Sequence, residues 1–539
     1  MKSPFAHLAT EKYRWFALIA LSMGLAIVII DNSVLNVAIP YILRDLHTSI
    51  DAIQWIISGY ALIIGTLLIT MGRIGDIIGR KKLFLIGTVL FAIGSFIASF
   101  APNAFILFMG EAVIEAIGAA MMFTSSLSLL VSEFHGKERA IAFGVWGSVA
   151  GASSAVGPLL GGYLTSYYSW RWSLRINVFV AIATLLASVF IIEAKGEGKK
   201  EFDWGGMIYS GLGLFLLVFG LIEGRKYGWI SPNQIFSIGP WTWPFTQISI
   251  IPVVFLLSVL LLAKFVIVEY LIEEKGGSPV LKMSLFKHVG FTMGLITLGI
   301  LSLGQFGLFF IVTIYLQSVL GLDAFRAGVV FLSMSATLFV FGPVSGFLAS
   351  KIKPRWVVTV GMFVSALSVF LLRQQITTMA TGWTLAPALG LFGVGLGMCT
   401  AQLTNVILSA VPVQYAGEAS AVNATVRQVG TAIGIAVIGV VMATSLNTNI
   451  QAHIQADSRL PDAAKTQIIA GLSKVSVESG QKSIGKAPSF IQQAVKQDVN
   501  DAFVQAVRSA LDVVLVSAFI GALVSFSIPS KIKKSVGSD

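Results

Sequence analysis

Three carboxylates lie in stretches that ordinarily hold none. Asp31 falls in the apolar run 14–39, and Glu111 and Glu115 fall in the run 104–131. A carboxylate in hydrocarbon costs roughly 2.5–3.5 kcal/mol on insertion scales, so each one needs a reason. With Pro40 as the end of the first run, Asp31 sits roughly 13 Å deep at 1.5 Å per residue. Counted from Asn103, Glu111 and Glu115 are roughly 12 and 18 Å deep. Their four-residue spacing places both on one helix face. If the two helices face a common cavity, the three acids share one depth, where they could carry a proton or, once ionised, hold a cation. A structural alternative is equally concrete: Asp31 caps a broken helix, while one Glu snorkels or pairs with Arg175 in the run 173–192.

The elements that position these acids follow from composition. The 539 residues are 55% hydrophobic and only 12% charged, and mean hydropathy is +0.84. Soluble domains carry roughly 25% charged residues, so the chain reads as an all-α integral membrane protein. The formal charge of +11 does not point to nucleic acid, because Lys and Arg fall in short clusters between apolar runs, as membrane topology requires. Cys399 is the only cysteine, which excludes an intramolecular disulfide or a cysteine-based metal site. The five histidines lack metal-ligand spacing, and no phosphate-binding Gly-x-x-x-x-Gly-Lys-Ser/Thr loop or nucleophile–base constellation occurs. An enzyme, or a pump that hydrolyses ATP itself, is therefore not expected, and no cofactor is implied.

A span needs about 20 apolar residues. That rule predicts about fourteen helices, near 14–39, 50–71, 83–100, 104–131, 140–165, 173–192, 204–223, 247–270, 289–316, 326–350, 356–373, 384–408, 418–444 and 509–529. The basic residues Lys12 and Arg14 precede the first, which reads as an uncleaved span. Alternate loops carry Arg73, Arg80 to Lys82, Lys137, Arg139, Lys195, Lys275, Lys287, Lys351 and Arg355, which places both termini in the cytoplasm. Charged linkers at 193–203 and 273–287 divide the chain into a six-helix bundle (1–192), two extra helices (193–288) and a second six-helix bundle (289–539). The outer segment 445–508 has helical apolar spacing at 463–473 and 491–507, which fits an amphipathic hairpin on the membrane surface or a mobile polar loop.

Within 140–165 the residues are Gly, Ala and Ser rather than large aliphatics. Gly147, Gly151, Ser154, Gly157 and Gly161 recur at three- and four-residue spacing, and Pro158 predicts a bend. Such a surface lets another backbone lie close. It could be a tight structural crossing or a helix shared by two rocking halves.

The loop Gly72-Arg-Ile-Gly-Asp76-Ile-Ile-Gly79-Arg80-Lys81-Lys82 combines turn-forming glycines with an acid able to accept from amides at a helix start, and with a basic cluster that holds the loop inside. Its pattern resembles the signature loop of the major facilitator superfamily, where the Asp and basic residues latch the two bundles together. The corresponding Gly346 to Arg355 keeps the basic residues but lacks the Asp. The run Asp31 to Pro40 resembles the first-helix motif of the fourteen-spanning drug/proton antiporters within that family. Residues Gly151 to Gly162, with Gly157-Pro158 and Gly161-Gly162, resemble the fifth-helix antiporter motif. Trp170-Arg-Trp172 with Asn177, Tyr315-Leu-Gln317, and Ser420 to Gly430 with Arg427-Gln428 also match.

The resemblance implies the major facilitator fold, with helices 1, 4, 9 and 12 lining a central cavity, and proton-coupled efflux of hydrophobic or cationic drugs by alternating access. It implies a monomeric carrier in a bacterial cytoplasmic membrane, powered by the proton gradient and in contact with lipid. One departure matters: the fourth helix lacks the Arg expected there, with Ala112 in its place and Glu115 where Gln is usual, so Arg175 becomes a possible substitute charge. Gln305, Gln402 and Asn405 could orient substrate or could form interhelical hydrogen bonds, and Arg427 is expected to be structural or gating. Export or flipping of a lipid or amphipathic metabolite is the alternative on this fold. A non-transporting sensor or scaffold is the alternative from another class.

Overall fold

A computed structural model describes residues 13–48, 50–193, 202–238, 240–457, 465 and 489–529. Its long helices, in chain order, are α1 (Arg14–Asp45), α2 (Ile50–Ile78), α3 (Arg80–Ser99), α4 (Ala104–Glu133), α5 (Gly136–Tyr167), α6 (Trp170–Ala187) and α7 (Trp204–Tyr227). They continue with α8 (Ile250–Glu274), α9 (Val289–Ser318), α10 (Ala324–Lys351), α11 (Pro354–Gln375), α12 (Gly382–Ser409), α13 (Ala416–Ala456) and α14 (Ser489–Ser525). Among the described residues, thirteen of these are long and apolar enough to cross a membrane. The remaining one is α5, which is 32 residues long but built of small residues.

Helix starts follow local chemistry. Asn103, Ser169, Asp203, Ser249 and Asp323 each cap with a side-chain oxygen that accepts from an early backbone amide. Thr381 and Thr384 form a reciprocal capping box at the start of α12. Each cap satisfies an amide that has no partner within its helix.

The first six helices pack chiefly on one another, α1 against α5 and α6, and α4 against α2 and α3. Helices α9 to α14 do the same, α9 with α13 and α14, and α12 with α10 and α11. The two groups meet along α5–α10 and α2–α13, while α8 pairs with α7, which leans on α2 and α13. A two-stranded antiparallel ribbon, β1 (Ser237–Ile238) and β2 (Trp241–Thr242), lies in the connection between α7 and α8.

Four elements differ from the sequence expectation. Helix α1 continues through Pro40 to Asp45, so Asp31 lies roughly 21 Å from that end rather than 13 Å. Helix α4 is not uniformly α-helical: residues Phe108–Glu115 form a π-helical segment. Finally, α13 and α14 run 41 and 37 residues, roughly 62 and 55 Å, against a hydrocarbon core of about 30 Å. Residues 445–456 and 489–508 are thus continuations of membrane-length helices rather than a separate hairpin lying on the surface. Ser445 and Ser509 are joined there by a hydroxyl–hydroxyl bond of 3.2 Å. The stretch expected to be helical at 463–473 lies outside the described residues, save Lys465.

Candidate functional site

The π-helical segment of α4 carries both glutamates. Widening the turn shifts side chains relative to an α-helix, and such segments recur at functional sites. It is seated by close backbone contact with α3: a Cβ on Gly94 would lie 2.6 Å from the Gly110 carbonyl and the Glu115 amide. Only glycine permits that approach, and it brings Glu115 beside Ser95.

Asp31, Glu111 and Glu115 converge. All three are buried, and each offers a carboxylate oxygen within 4.8 Å of those of the other two. Asn177 on α6 donates to Asp31 Oδ1 at 2.6 Å and to Ser95 Oγ at 3.1 Å. Ser95 donates to Glu115 Oε1 at 2.6 Å. One oxygen of each acid, Asp31 Oδ2, Glu111 Oε2 and Glu115 Oε2, has no partner among the described residues, and neither does the buried hydroxyl of Tyr60 nearby on α2. Acceptors therefore outnumber donors. Like charges this close cannot all persist in a water-poor site, so the arrangement can take up protons or a cation.

Ser95, Tyr60 and the role of Asn177 were missed by sequence reasoning. Asn177 was visible only as part of a motif, and Ser95 as one hydroxyl among many.

Arg175 does not join the acids. Its guanidinium stacks on Phe100 at 4.5 Å and on Trp172 at 5.2 Å, and among the described residues no ion pair links it to Asp31, Glu111 or Glu115. The aromatic rings offer cation–π contact at the helix end, away from the acids. The neighbouring Trp170 and Arg171 both reach Asp45 Oδ2 at 3.0 Å, which ties the ends of α1 and α6.

The stretch expected as a loop, Gly72 to Lys82, is helical save Gly79: it is the end of α2 and the start of α3, and it crosses to α13 of the second bundle. Asp76 and Arg80 form a buried ion pair, 2.9 Å from Nη2 and 3.0 Å from Nε. The Asp76 carboxylate lies against Gly417, where a Cβ would collide with it, and it accepts from the Glu418 backbone amide. An acid at the start of α13 meets unpaired amides and the positive end of the helix dipole. Gly72 packs on Gly417 and Ala421, and Arg80 Nη2 reaches the Val413 carbonyl at 3.4 Å. Gly79 holds a φ of 109°, which other residues rarely adopt.

Lys81, expected in the latch, instead donates to the Ile191 carbonyl at 2.6 Å, within the first bundle. A contact to the same place that was not foreseen comes from the linker after α8: Lys282 donates its backbone amide to Glu418 at 2.9 Å and its Nζ to the Tyr415 hydroxyl at 2.9 Å.

The small-residue face of α5 is used on two sides. Gly157 and Gly161 sit against Ser33 and Val34 of α1, while Gly144, Gly151 and Gly162 sit against Gly342, Leu338 and Phe325 of α10. The helix passes through Pro158 without a break in its helical backbone.

Gln402 donates to Ser345 on α10 at 3.2 Å, an interhelical bond, while Asn405 accepts from Ser409 at 3.1 Å within α12. Gln305 lies half-buried on α9. Arg427 lies on α13, roughly 13 Å along the helix from Glu418.

These features define a helical membrane transporter, and comparison with known proteins agrees. The profile of the Major Facilitator Superfamily matches residues 21–435. The tetracenomycin C resistance and export protein of Streptomyces glaucescens is 29% identical over 515 residues, covering 95% of this chain and 91% of that protein. The methyl viologen resistance protein SmvA of Salmonella typhimurium is 28% identical over 501 residues, covering 92% and 94%. Among solved structures, the proton:xylose symporter XylE aligns over 97% of this chain and 98% of that chain, with a TM-score of 0.60 at 12% identity, a likeness of fold alone.

This chain belongs to the major facilitator superfamily. It is a multi-pass membrane transporter, not an enzyme.

Proposed function

We propose that the protein exports small hydrophobic compounds, cations among them, in exchange for protons, by alternating access between its two bundles. The reading rests first on the buried carboxylate cluster Asp31–Glu111–Glu115, which has more acceptors than donors and so favours protons or a cation. Relatives named for antibiotic and methyl viologen resistance support the direction and the substrate class. In this reading all fourteen helices span a bacterial cytoplasmic membrane and both termini are cytoplasmic. The Asp76–Arg80–Glu418 crossing is the inner gate, and the carrier works as a monomer without a cofactor.

The test is flux of ethidium, a lipophilic cation, in proteoliposomes with and without an imposed proton gradient. Wild type is compared with Asp31→Asn, Glu111→Gln and Glu115→Gln. Gradient-driven flux that disappears in at least one correctly folded variant supports antiport. Full flux in all three removes the carboxylates from the mechanism, and no gradient dependence in wild type removes proton coupling.

A further inference from the structure

The carboxylate cluster lies in the first bundle, yet the largest set of unpaired polar atoms on a single helix belongs to the second. On α13, Ser420 Oγ, Asn423 Oδ1 and Nδ2, and Arg427 Nε and Nη2 all lack a hydrogen-bonding partner among the described residues. Ser420 and Asn423 are fully buried, and Arg427 is half-buried with these two nitrogens shielded from solvent. Each such group left unsatisfied costs about 1–3 kcal/mol, so five in one place form a feature that packing alone does not explain.

Their spacing makes them a stripe. Positions 420, 423 and 427 fall on one face at three- and four-residue intervals. Two other faces of α13 are occupied: Gly417, Ala421 and Ala424 pack on α2 and α4, and Gly430 and Gly434 pack on α9. At 100° per residue, Ser420 and Arg427 lie on the surface between those faces, while Asn423 shares the side of Gly430 and Gly434 that packs on α9. Helix α2 belongs to the first bundle and α9 to the second, so Ser420 and Arg427 front the seam between them, with Asn423 on the flank toward α9.

The chemistry of the stripe is specific. Guanidinium is a permanent cation that offers donors in a planar fork and accepts nothing. Asn and Ser beside it extend the donor row. Among the described residues no carboxylate answers Arg427, although Arg80 and Arg373 both have one. The group that satisfies such a row is an oxygen anion or a strongly polarised oxygen acceptor.

We infer that Ser420, Asn423 and Arg427 form a substrate subsite for the anionic oxygen group of an aromatic or amphipathic molecule, such as a carboxylate or phenolate. This deepens the transport reading and rests on it: the carrier takes molecules that bear an acidic oxygen function, and is not confined to lipophilic cations.

The test uses purified protein in detergent and two fluorescent aromatic probes, the anion fluorescein and the cation ethidium, with binding read by anisotropy. The quantity compared is the ratio of the two affinities. Wild type binds fluorescein saturably. In Arg427→Gln the fluorescein-to-ethidium affinity ratio falls about tenfold or more, and Arg427→Lys recovers part of it because the charge remains. Asn423→Leu lowers the ratio as well, and decides the matter if Arg427→Gln does not fold.

Absence of saturable fluorescein binding by wild type overturns the inference. So does equal weakening of both probes together with a lower melting temperature, the pattern of a structural arginine. Because binding is read without a gradient, failure of proton-driven ethidium flux would overturn the coupling reading and leave this subsite standing.

Discussion

Asn177 and Asp31 are joined across α6 and α1 by an amide-to-carboxylate hydrogen bond of 2.6 Å. The same amide nitrogen also meets Ser95 and, at 3.4 Å, Glu115. One neutral donor thus holds three helices to a cluster of acids. Asn177→Leu removes it at similar volume, and ethidium flux is expected to fall at least about tenfold, since a lost bond to a charged group is worth about 1.5–3 kcal/mol. Flux equal to wild type in liposomes would assign Asn177 to packing alone.

Replacing one acid by its amide should stabilise the protein while disabling it. Asp31 Oδ2 and Glu111 Oε2 lack donors, and Glu115→Gln brings an amide within their reach and removes one of three acids that compete for charge. We expect the melting temperature in detergent to rise, by the equivalent of about 1 kcal/mol, as gradient-driven flux drops. A lower melting temperature would mean that Glu115 is held by favourable contacts instead.

Asp76→Asn leaves Arg80 buried without its counter-charge and weakens the hold on the start of α13. Breaking a buried pair in this way costs about 3–5 kcal/mol, enough to release the contact between α2 and α13. In a Cys399→Ser background, a cysteine replacing Ala424, which is buried beside Leu68 and Met71, should react faster with a maleimide once Asp76 is changed. An unchanged rate would place the closure elsewhere.

The α5 seam permits a sharp contrast between neighbouring glycines. A Cβ at Gly144 would sit 2.6 Å from the Gly342 carbonyl and 3.0 Å from Pro343, whereas one at Gly147 would meet nothing nearer than 3.8 Å. Gly144→Ala should cost about 1–3 kcal/mol by overpacking backbone on backbone, and Gly147→Ala should be tolerated. Thermal melting of the two variants checks this; similar values would mean that α10 yields easily.

Arg175→Gln should keep most of the ethidium flux, because the guanidinium stacks on Phe100 and Trp172 rather than facing the acids. Loss of flux matching that of Asp31→Asn would restore it as a counter-charge.

Much of this was legible from residue types alone. Most helices begin and end within a few residues of the apolar runs, with α1, α2, α13 and α14 running well past them, and the acids announce themselves because charge is so costly in hydrocarbon. The stretch Gly72 to Lys82 stood out only through its resemblance to a family pattern, since glycines, an acid and a basic cluster suit any inner loop as well. What stayed hidden depends on three-dimensional neighbours. Nothing in Phe108 to Glu115 marks a π-helical turn, since that depends on α3 pressing through Gly94. Pro40 suggested a helix end, yet α1 runs past it to Asp45, where Trp170 and Arg171 bind. Arg175 looked like the missing partner of an acid until the rings beside it were placed. The partners of Lys81 and Lys282 lie far away in sequence, so no local pattern encodes them.

Where α5 meets α10, much of the contact is main chain against main chain, with Gly144 facing Gly342 and Gly346 facing Ala140. Side chains that interdigitate must change rotamer before two surfaces can slide, and each change adds a barrier. A seam of bare backbone has few teeth to disengage. Under the proposed exchange by alternating access, such a seam would act as a low-friction bearing, and the polar fastenings around Asp76 and Arg80 would hold the bundles in place.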